Sequence, residues 1–311
     1  MTERVRPASG VRGFLPEIAI AIAAFLYGVT FSIVQDALDR TTPMGFNLMR
    51  FAIGAAVLAP FALRRSWKGP QRRGTDTFTT FVLAGASLGV IAAFAYLTQN
   101  VGLEHTSTSN SAFITGLFAV FTPIIEAIVY RRFPRQGIVL AVGISIVGLF
   151  LLTGAELSMS YGDAITLVTA VLFGAWYVRT GVVANRFDIL GLTTVQLAVV
   201  ALVSIPFVLV DGIGTVDGGV ILTVIFTGVG CSAVAFSLSA WAQRTIDASR
   251  ASILNLLEPV VAGVVGYALG ERLGVVGYAG AALILAGILV AERGTHTAAA
   301  RGATDPSARG T

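Results

Sequence analysis

Cysteine and histidine are nearly missing from this chain, and charge is scarce. The single cysteine, Cys231, lies inside an apolar run, so it forms no intrachain disulfide and no thiolate metal site. The two histidines, His105 and His296, fall in a loop and in the tail. A histidine metal centre, or His-based catalysis within an apolar helix, therefore has no support, and neither a metal nor a cofactor is expected. Charged residues make up 12% of the chain, about half the share of a soluble domain. No GxxxxGK[ST] stretch or other nucleotide cradle occurs, which argues against direct ATP drive. A cleavable signal peptide is also missing: the apolar run from Leu15 to Val34 is too long, and Asp36–Arg40 offers no small-residue cleavage site.

What the sequence has is apolar length. Of 311 residues, 55% are hydrophobic, and the mean hydropathy is +0.81. Runs close to the ~20 residues that cross a bilayer as a helix recur near 15–36, 45–63, 79–100, 108–130, 137–154, 162–182, 192–210, 219–241, 249–269 and 274–291. The expected fold is all-α: a polytopic integral membrane protein of ten transmembrane helices.

The formal charge of +4 does not point to nucleic acid, because the cations occupy alternate short loops rather than one patch. With the N-terminus inside, only Arg40, Arg50 and Arg272 of the 21 Lys and Arg fall outside the inner loops and tails. A miscounted helix would destroy that asymmetry. The positive-inside rule thus predicts both termini in the cytoplasm and a multi-pass protein of the plasma (inner) membrane.

The two halves repeat each other. Ala24-Phe25-Leu26-Tyr27-Gly28 reads like Ala170-Val171-Leu172-Phe173-Gly174, and the same offset pairs Glu17 with Asp163, Arg50 with Gln196, and Pro60 with Pro206. Further on, Thr108-Ser109-Asn110-Ser111 aligns with Ala248-Ser249-Arg250-Ala251, and Gly148 with Gly287. Five helices per half is an odd number, so the copies enter the membrane in opposite directions. Inverted repeats with a site at their interface are a recurring transporter plan. The predicted organisation is a tail at 1–14, repeats at 15–154 and 155–292, and a disordered cytoplasmic tail at 293–311. Both halves of a pathway lie in one chain, which points to a monomer, with a dimer as the alternative.

The stretch Asp247–Arg272 concentrates the chemistry. Glu258 and Pro259 interrupt an apolar span, and Asn255 and Ser252 precede them at helical spacing. An ionisable group at that depth costs roughly 3 kcal/mol on insertion, so it must face protein or water. Glu258 is the candidate for proton coupling or for binding a substrate amine; its bland alternative is a hydrogen-bonded strut beside the kink. Arg50 could grip a carboxylate in bidentate fashion or snorkel at the interface. Tyr27, Tyr96, Trp176, Tyr177 and Trp241 could wall an organic substrate, or some of them could belong, with Trp67, to interfacial belts. Thr115 and Gln196 complete the substrate-binding candidates with Asn255. Thr115 shares a helix face with Thr108, Ser111 and Thr122, which small-residue packing also explains. Pro123 and Pro259 are the expected hinges. Glu126 reads as a snorkelling or ion-paired residue, and Glu17 and Asp163 as charges favoured at helix starts.

Leu48-Met49-Arg50-Phe51, Gly102-Leu103 with Thr106-Ser107-Thr108-Ser109-Asn110, Gly162-Asp163, Ala248-Ser249-Arg250-Ala251-Ser252, Leu257-Glu258-Pro259 and Gly270-Glu271-Arg272-Leu273 follow one another in register. This series resembles the drug/metabolite transporter superfamily, in its bacterial EamA-like branch, over roughly residues 15–292. Ala119 stands where that family often has proline, with Pro123 a turn later, and Arg131-Arg132-Phe133 replaces the Gly-Glu-Arg of the second copy. The resemblance implies a ten-helix secondary carrier that exports amino acids, related metabolites or toxic analogues. It would work by alternating access, driven by proton antiport or exchange. The partners it implies are a small-molecule substrate and the lipid bilayer. An intramembrane enzyme using buried carboxylates, or a channel, are the rival readings. A channel would be expected to show symmetric polar rings; an enzyme is not expected.

Overall fold

A computed structural model describes residues 14–106, 108–154, 160–268 and 274–304. The N-terminal tail, the Gly270-Glu271-Arg272 motif and residues 305–311 lie outside the described residues. Helices follow the apolar runs closely: α1 Leu15–Leu38, α2 Pro43–Leu63, α3 Phe78–Leu103, α4 Thr108–Gly116, α5 Phe118–Tyr130, α6 Gln136–Thr153 and α7 Tyr161–Val183. The second half continues with α8 Ile189–Asp211, α9 Gly218–Phe226, a π-helical segment Thr227–Ala235, α10 Phe236–Ala242, α11 Ala248–Asn255, α12 Leu257–Ala268 and α13 Val275–Thr304. No strand is present among the described residues. Nine helical stretches are long and apolar enough to cross a bilayer, and Leu15–Thr30 of α1 adds a shorter one. The protein is a ten-span, all-α membrane protein.

Large apolar side chains cover the outside. Leu209, Val210, Ile128 and Leu222 are among the most exposed. In water such a surface would drive association; in a bilayer it is the face that acyl chains wet. Hydroxyls within the spans close back on their own helix. Thr122 donates to the Phe118 carbonyl at 2.7 Å, Thr166 to Gly162 at 2.8 Å and Ser204 to Val200 at 2.9 Å. These bonds satisfy polar groups that lipid cannot.

The helices gather into two compact units, Met1–Val90 with Arg179–Asp247, and Ile91–Val178 with Ala248–Thr311. The repeats are not these units, because each unit draws helices from both halves of the sequence. In the first unit α2 packs along α8, its counterpart in the second repeat. Gly45 lies against Ile213 and Gly54 against Leu197, so the two helices run antiparallel. Gly85 and Gly89 of α3 meet Val195 and Val199 of the same α8; this GxxxG pair serves close helix approach. In the second unit α6 packs along α13. Gly148 faces Gly280, Ser145 faces Gly287, and Ala141 clusters with Ala291, again antiparallel. Two copies inserted the same way would place their counterpart helices parallel. The repeats are inverted.

The loops follow from this alternation. In the first unit, Thr41 bridges Gly214, and Arg40 pairs with Asp36 and Asp217. At another end of that unit the connections 64–77, 184–188 and 243–247 meet. Lys68 bridges Phe187, Arg186 pairs with Asp76, and Arg244 donates to the carbonyls of Ala184 (2.8 Å) and Phe187 (2.9 Å). The hydrogen bond from Arg186 holds the Asp76 carboxyl below the usual carboxylate range.

Two helix boundaries stand beside the sequence reading. Helix α13 runs on to Thr304, into the segment read as a disordered tail from 293. Its Ala298–Ala300 run has the highest intrinsic helix propensity. The fourth span breaks at Leu117, between α4 and α5, while Pro123 lies inside α5. A proline tolerated within a helix need not mark its end when neighbouring helices re-satisfy the freed carbonyl.

A β-carbon at Gly148 would lie 2.6 Å from the Gly280 carbonyl, whereas one at Gly143 would meet nothing within 4 Å. Gly148→Ala should therefore lower the melting temperature of the purified protein by several degrees. Gly143→Ala should leave it unchanged or raise it slightly, since alanine is favoured over glycine in a helix by roughly 0.5–1 kcal/mol. Equal effects of the two changes would contradict the close α6–α13 contact.

Candidate substrate-binding site

The second unit brings most of the candidates together. The ninth span is interrupted at Leu256, with α11 ending at Asn255 and α12 starting at Leu257. Pro259 supplies no N–H for the Asn255 carbonyl, and its position in the first turn of α12 is where proline fits best. Glu258 sits in that same first turn, where exposed N–H groups and the helix dipole favour a negative charge. Its carboxylate accepts a hydrogen bond from Asn255 Nδ2 at 3.2 Å. The Asn255 Oδ1 atom is buried with no hydrogen-bond partner among the described residues. A broken helix thus explains how an acid is tolerated deep in an apolar span.

A group of aromatic rings is linked to this break through Tyr177. Tyr177 of α7, 5% exposed, lies within electrostatic range of Glu258 and Tyr96. Phe118 stacks on Tyr177 with ring centroids 5.5 Å apart. Trp176 meets Tyr177 edge-on at 5.1 Å, and Tyr96 meets Phe173 edge-on at 5.4 Å. Thr115 accepts from Gln99 Nε2 at 3.4 Å. Tyr96, Trp176, Tyr177, Asn255 and Glu258 therefore belong to one aromatic and polar neighbourhood. Trp241 belongs to the first unit, on α10, where it is 40% exposed.

The first unit holds the other three candidates. Arg50 of α2 is 9% exposed, so it does not snorkel. Its Nε donates to Ser232 Oγ at 3.3 Å, and its guanidinium lies 4.7 Å from the Phe51 ring centre. Ser232 belongs to the π-helical segment, whose Gly228 takes the Arg50 carbonyl at a distance no side chain would allow. Tyr27 and Phe51 both meet Phe236 edge-on at 6.2 Å. Gln196, the repeat partner of Arg50, is buried, and its Nε2 has no partner among the described residues. The cation is thus held by a ring and a hydroxyl, and the amide of Gln196 is buried in the same unit.

The break in the fourth span, at Leu117, and the break in the ninth, at Leu256, stand in the same repeat relation as Gly148 and Gly287. The first copy thus keeps the interruption without a proline directly after it. Glu126 of α5 accepts from the backbone N of Ser249 at 3.1 Å and from its hydroxyl. That carboxylate caps the start of α11, a structural role. Asp163 accepts from Ser160 N at 2.7 Å while Ser160 Oγ accepts from Asp163 N at 3.1 Å. This is a capping box, in line with the structural reading of Asp163.

Sequence reasoning missed Phe118, Phe173, Gln99 and Ser232. Gln99 was findable as a polar residue one turn from Tyr96 in an apolar span. The phenylalanines carry no signal that separates them from lipid-facing ones, and Ser232 gains its role only from Arg50.

The EamA-like transporter family matches the chain twice, over residues 15–154 and 160–292. An uncharacterized transporter of Archaeoglobus fulgidus is 30% identical over 91% of this chain and 87% of its own. The uncharacterized transporter YcxC of Bacillus subtilis is 25% identical over 88% of this chain and 91% of its own. One solved protein structure covers 92% of this chain and 98% of its own with a TM-score of 0.73; at 17% identity it speaks for the fold alone. A double match of this extent on ten apolar spans settles the family: the chain belongs to the EamA-like transporters.

Proposed function

We propose that this transporter is a secondary carrier that exports small organic metabolites, amino acids or related compounds and their toxic analogues, by alternating access. Proton antiport or exchange drives it, both termini are cytoplasmic, and the plasma (inner) membrane is its location. The observation that carries the reading is the Asn255–Glu258 pair at the break of the ninth span, with Tyr177 within electrostatic range of Glu258 and Tyr96, and Trp176 beside Tyr177. Such a group of rings can enclose an organic body, while the carboxylate meets an ammonium or carries a proton. Arg50, already desolvated in the first unit, offers the charge that a carboxylate needs. The breaks at Leu117 and Leu256 are the flexing points, with Pro259 beside one and Pro123 further along the other. Confinement of basic residues to alternate connections supports the orientation. The aromatic and polar mixture favours a carrier over a channel with symmetric rings, and no catalytic step is assigned.

Counterflow in proteoliposomes, screened over amino acids and toxic analogues, tests the carrier directly. Accumulation of labelled substrate against its unlabelled counterpart is expected, and an ion current independent of substrate would favour a channel. With a transported substrate in hand, Glu258→Gln should flatten the pH dependence of net export, since an amide cannot carry a proton in exchange for substrate. An unchanged pH profile would reduce Glu258 to a strut. Arg50→Gln should raise KM for carboxylate-bearing substrates about tenfold or more, the worth of a charge-assisted hydrogen bond, and spare analogues that lack the carboxylate. An equal loss for both would make Arg50 a structural anchor.

A further inference from the structure

The connection between α2 and α3 in the first unit has chemistry that substrate transport does not use. Arg64, Arg65, Lys68, Arg72 and Arg73 are all exposed there, within ten residues. The one carboxylate of the loop, Asp76, is buried on Arg186. Arg65 lies 3.7 Å from Asp188. Among the described residues no carboxylate comes within ion-pair distance of Arg64, Lys68, Arg72 or Arg73. The positive charge of the loop is thus left facing outward.

The loop is also built to stay in place. Gly69 N donates to the Arg186 carbonyl at 3.0 Å, Gln71 N to Asn185 at 2.7 Å, and Asp188 N to Trp67 at 3.0 Å. A β-carbon at Gly69 would sit 2.5 Å from the Phe187 nitrogen, so only glycine allows this approach. Trp67 packs against Phe78, Phe81 and Phe187, with ring centroids 6.3 to 6.4 Å away. Lys68 and Arg72 lie over the same indole at 5.8 and 5.7 Å. At the ends of the flanking helices Leu63 is 86% exposed and Phe78 59% exposed.

We propose that this loop is a docking platform for the headgroups of anionic phospholipids. Leu63 and Phe78 close two membrane-crossing helices, so the cations between them stand at headgroup level. An indole beside them is the residue type that prefers that level. Clusters of four or more Lys and Arg immediately next to a span attract anionic lipid. A rigid backbone removes the ordering cost that a flexible basic tail would pay on binding. Lipid, rather than a soluble anion, is favoured because the cations are flanked by exposed apolar side chains on both sides.

The test uses the full-length protein in neutral detergent, titrated with phosphatidylglycerol or phosphatidylcholine of the same chains, with bound lipid counted by native mass spectrometry. Phosphatidylglycerol should bind on the order of tenfold more tightly, and the preference should shrink as salt is raised. The combined change Lys68→Gln, Arg72→Gln and Arg73→Gln should bring it below about threefold. Equal binding of the two lipids, or a preference that the triple change leaves intact, would overturn the proposal. So would competition by glycerol phosphate as effective as by the lipid, which would mark a soluble-anion site. Should the triple variant fail to fold, brominated-chain lipids decide on protein in which Trp67 is the sole tryptophan (Trp176→Phe with Trp241→Phe) and the basic loop is intact. Stronger quenching of the Trp67-dependent fluorescence by brominated phosphatidylglycerol than by brominated phosphatidylcholine supports the platform. Equal quenching overturns it.

Discussion

Counterpart helices of the two repeats pack along each other within each unit, and between α6 and α13 they touch backbone to backbone. Lipid tails are as apolar as leucine, so no hydrophobic force draws helices together inside a bilayer; close van der Waals approach must do it. Gly148, Gly280 and Gly287 permit that approach between α6 and α13; on the other pair, Gly45 of α2 lies against Ile213 just past α8, and Gly54 against the Leu197 side chain of α8. The partners in each pair run antiparallel, as inverted copies require. An inverted duplication stabilised in this way leaves other helices free to be interrupted.

The interruptions are where polar chemistry enters. A helix that stops and restarts within a span exposes backbone groups that only protein or water can satisfy. At Leu256 the restart supplies N–H groups and a dipole that make room for Glu258, while Asn255 bridges the gap to the carboxylate. At Leu117 the equivalent break carries no acid. The two breaks thus match in position and differ in charge. Arg50 follows the same logic with a different device: the cation is desolvated against Phe51 and tied to Ser232.

Much of this was legible in the sequence. The ten apolar runs, the alternation of basic loops and the drift of the repeat offset gave the span number and the inversion, because each is a property summed over many residues. The acid at Glu258 and the rings Tyr96, Trp176 and Tyr177 stood out because lipid tolerates so few polar groups. What stayed hidden depends on tertiary contact. The π-helical turn at Thr227–Ala235 has no local signature, and the break at Leu117 precedes Pro123 by more than a turn. Ser232, Phe118 and Phe173 are ordinary residues made significant by their neighbours. The helix through Ala298–Ala300 was masked by flanking glycines, which read as a tail.

The antiparallel pairing of α6 with α13 can be read directly by paired cysteines in native membranes, in a Cys231→Ser background. Ala141→Cys with Ala291→Cys should crosslink readily under mild oxidation, and Ala141→Cys with Ala281→Cys should not. A crosslink at 141 and 281 with none at 141 and 291 would mean that the two copies run the same way, and the inverted arrangement would fall.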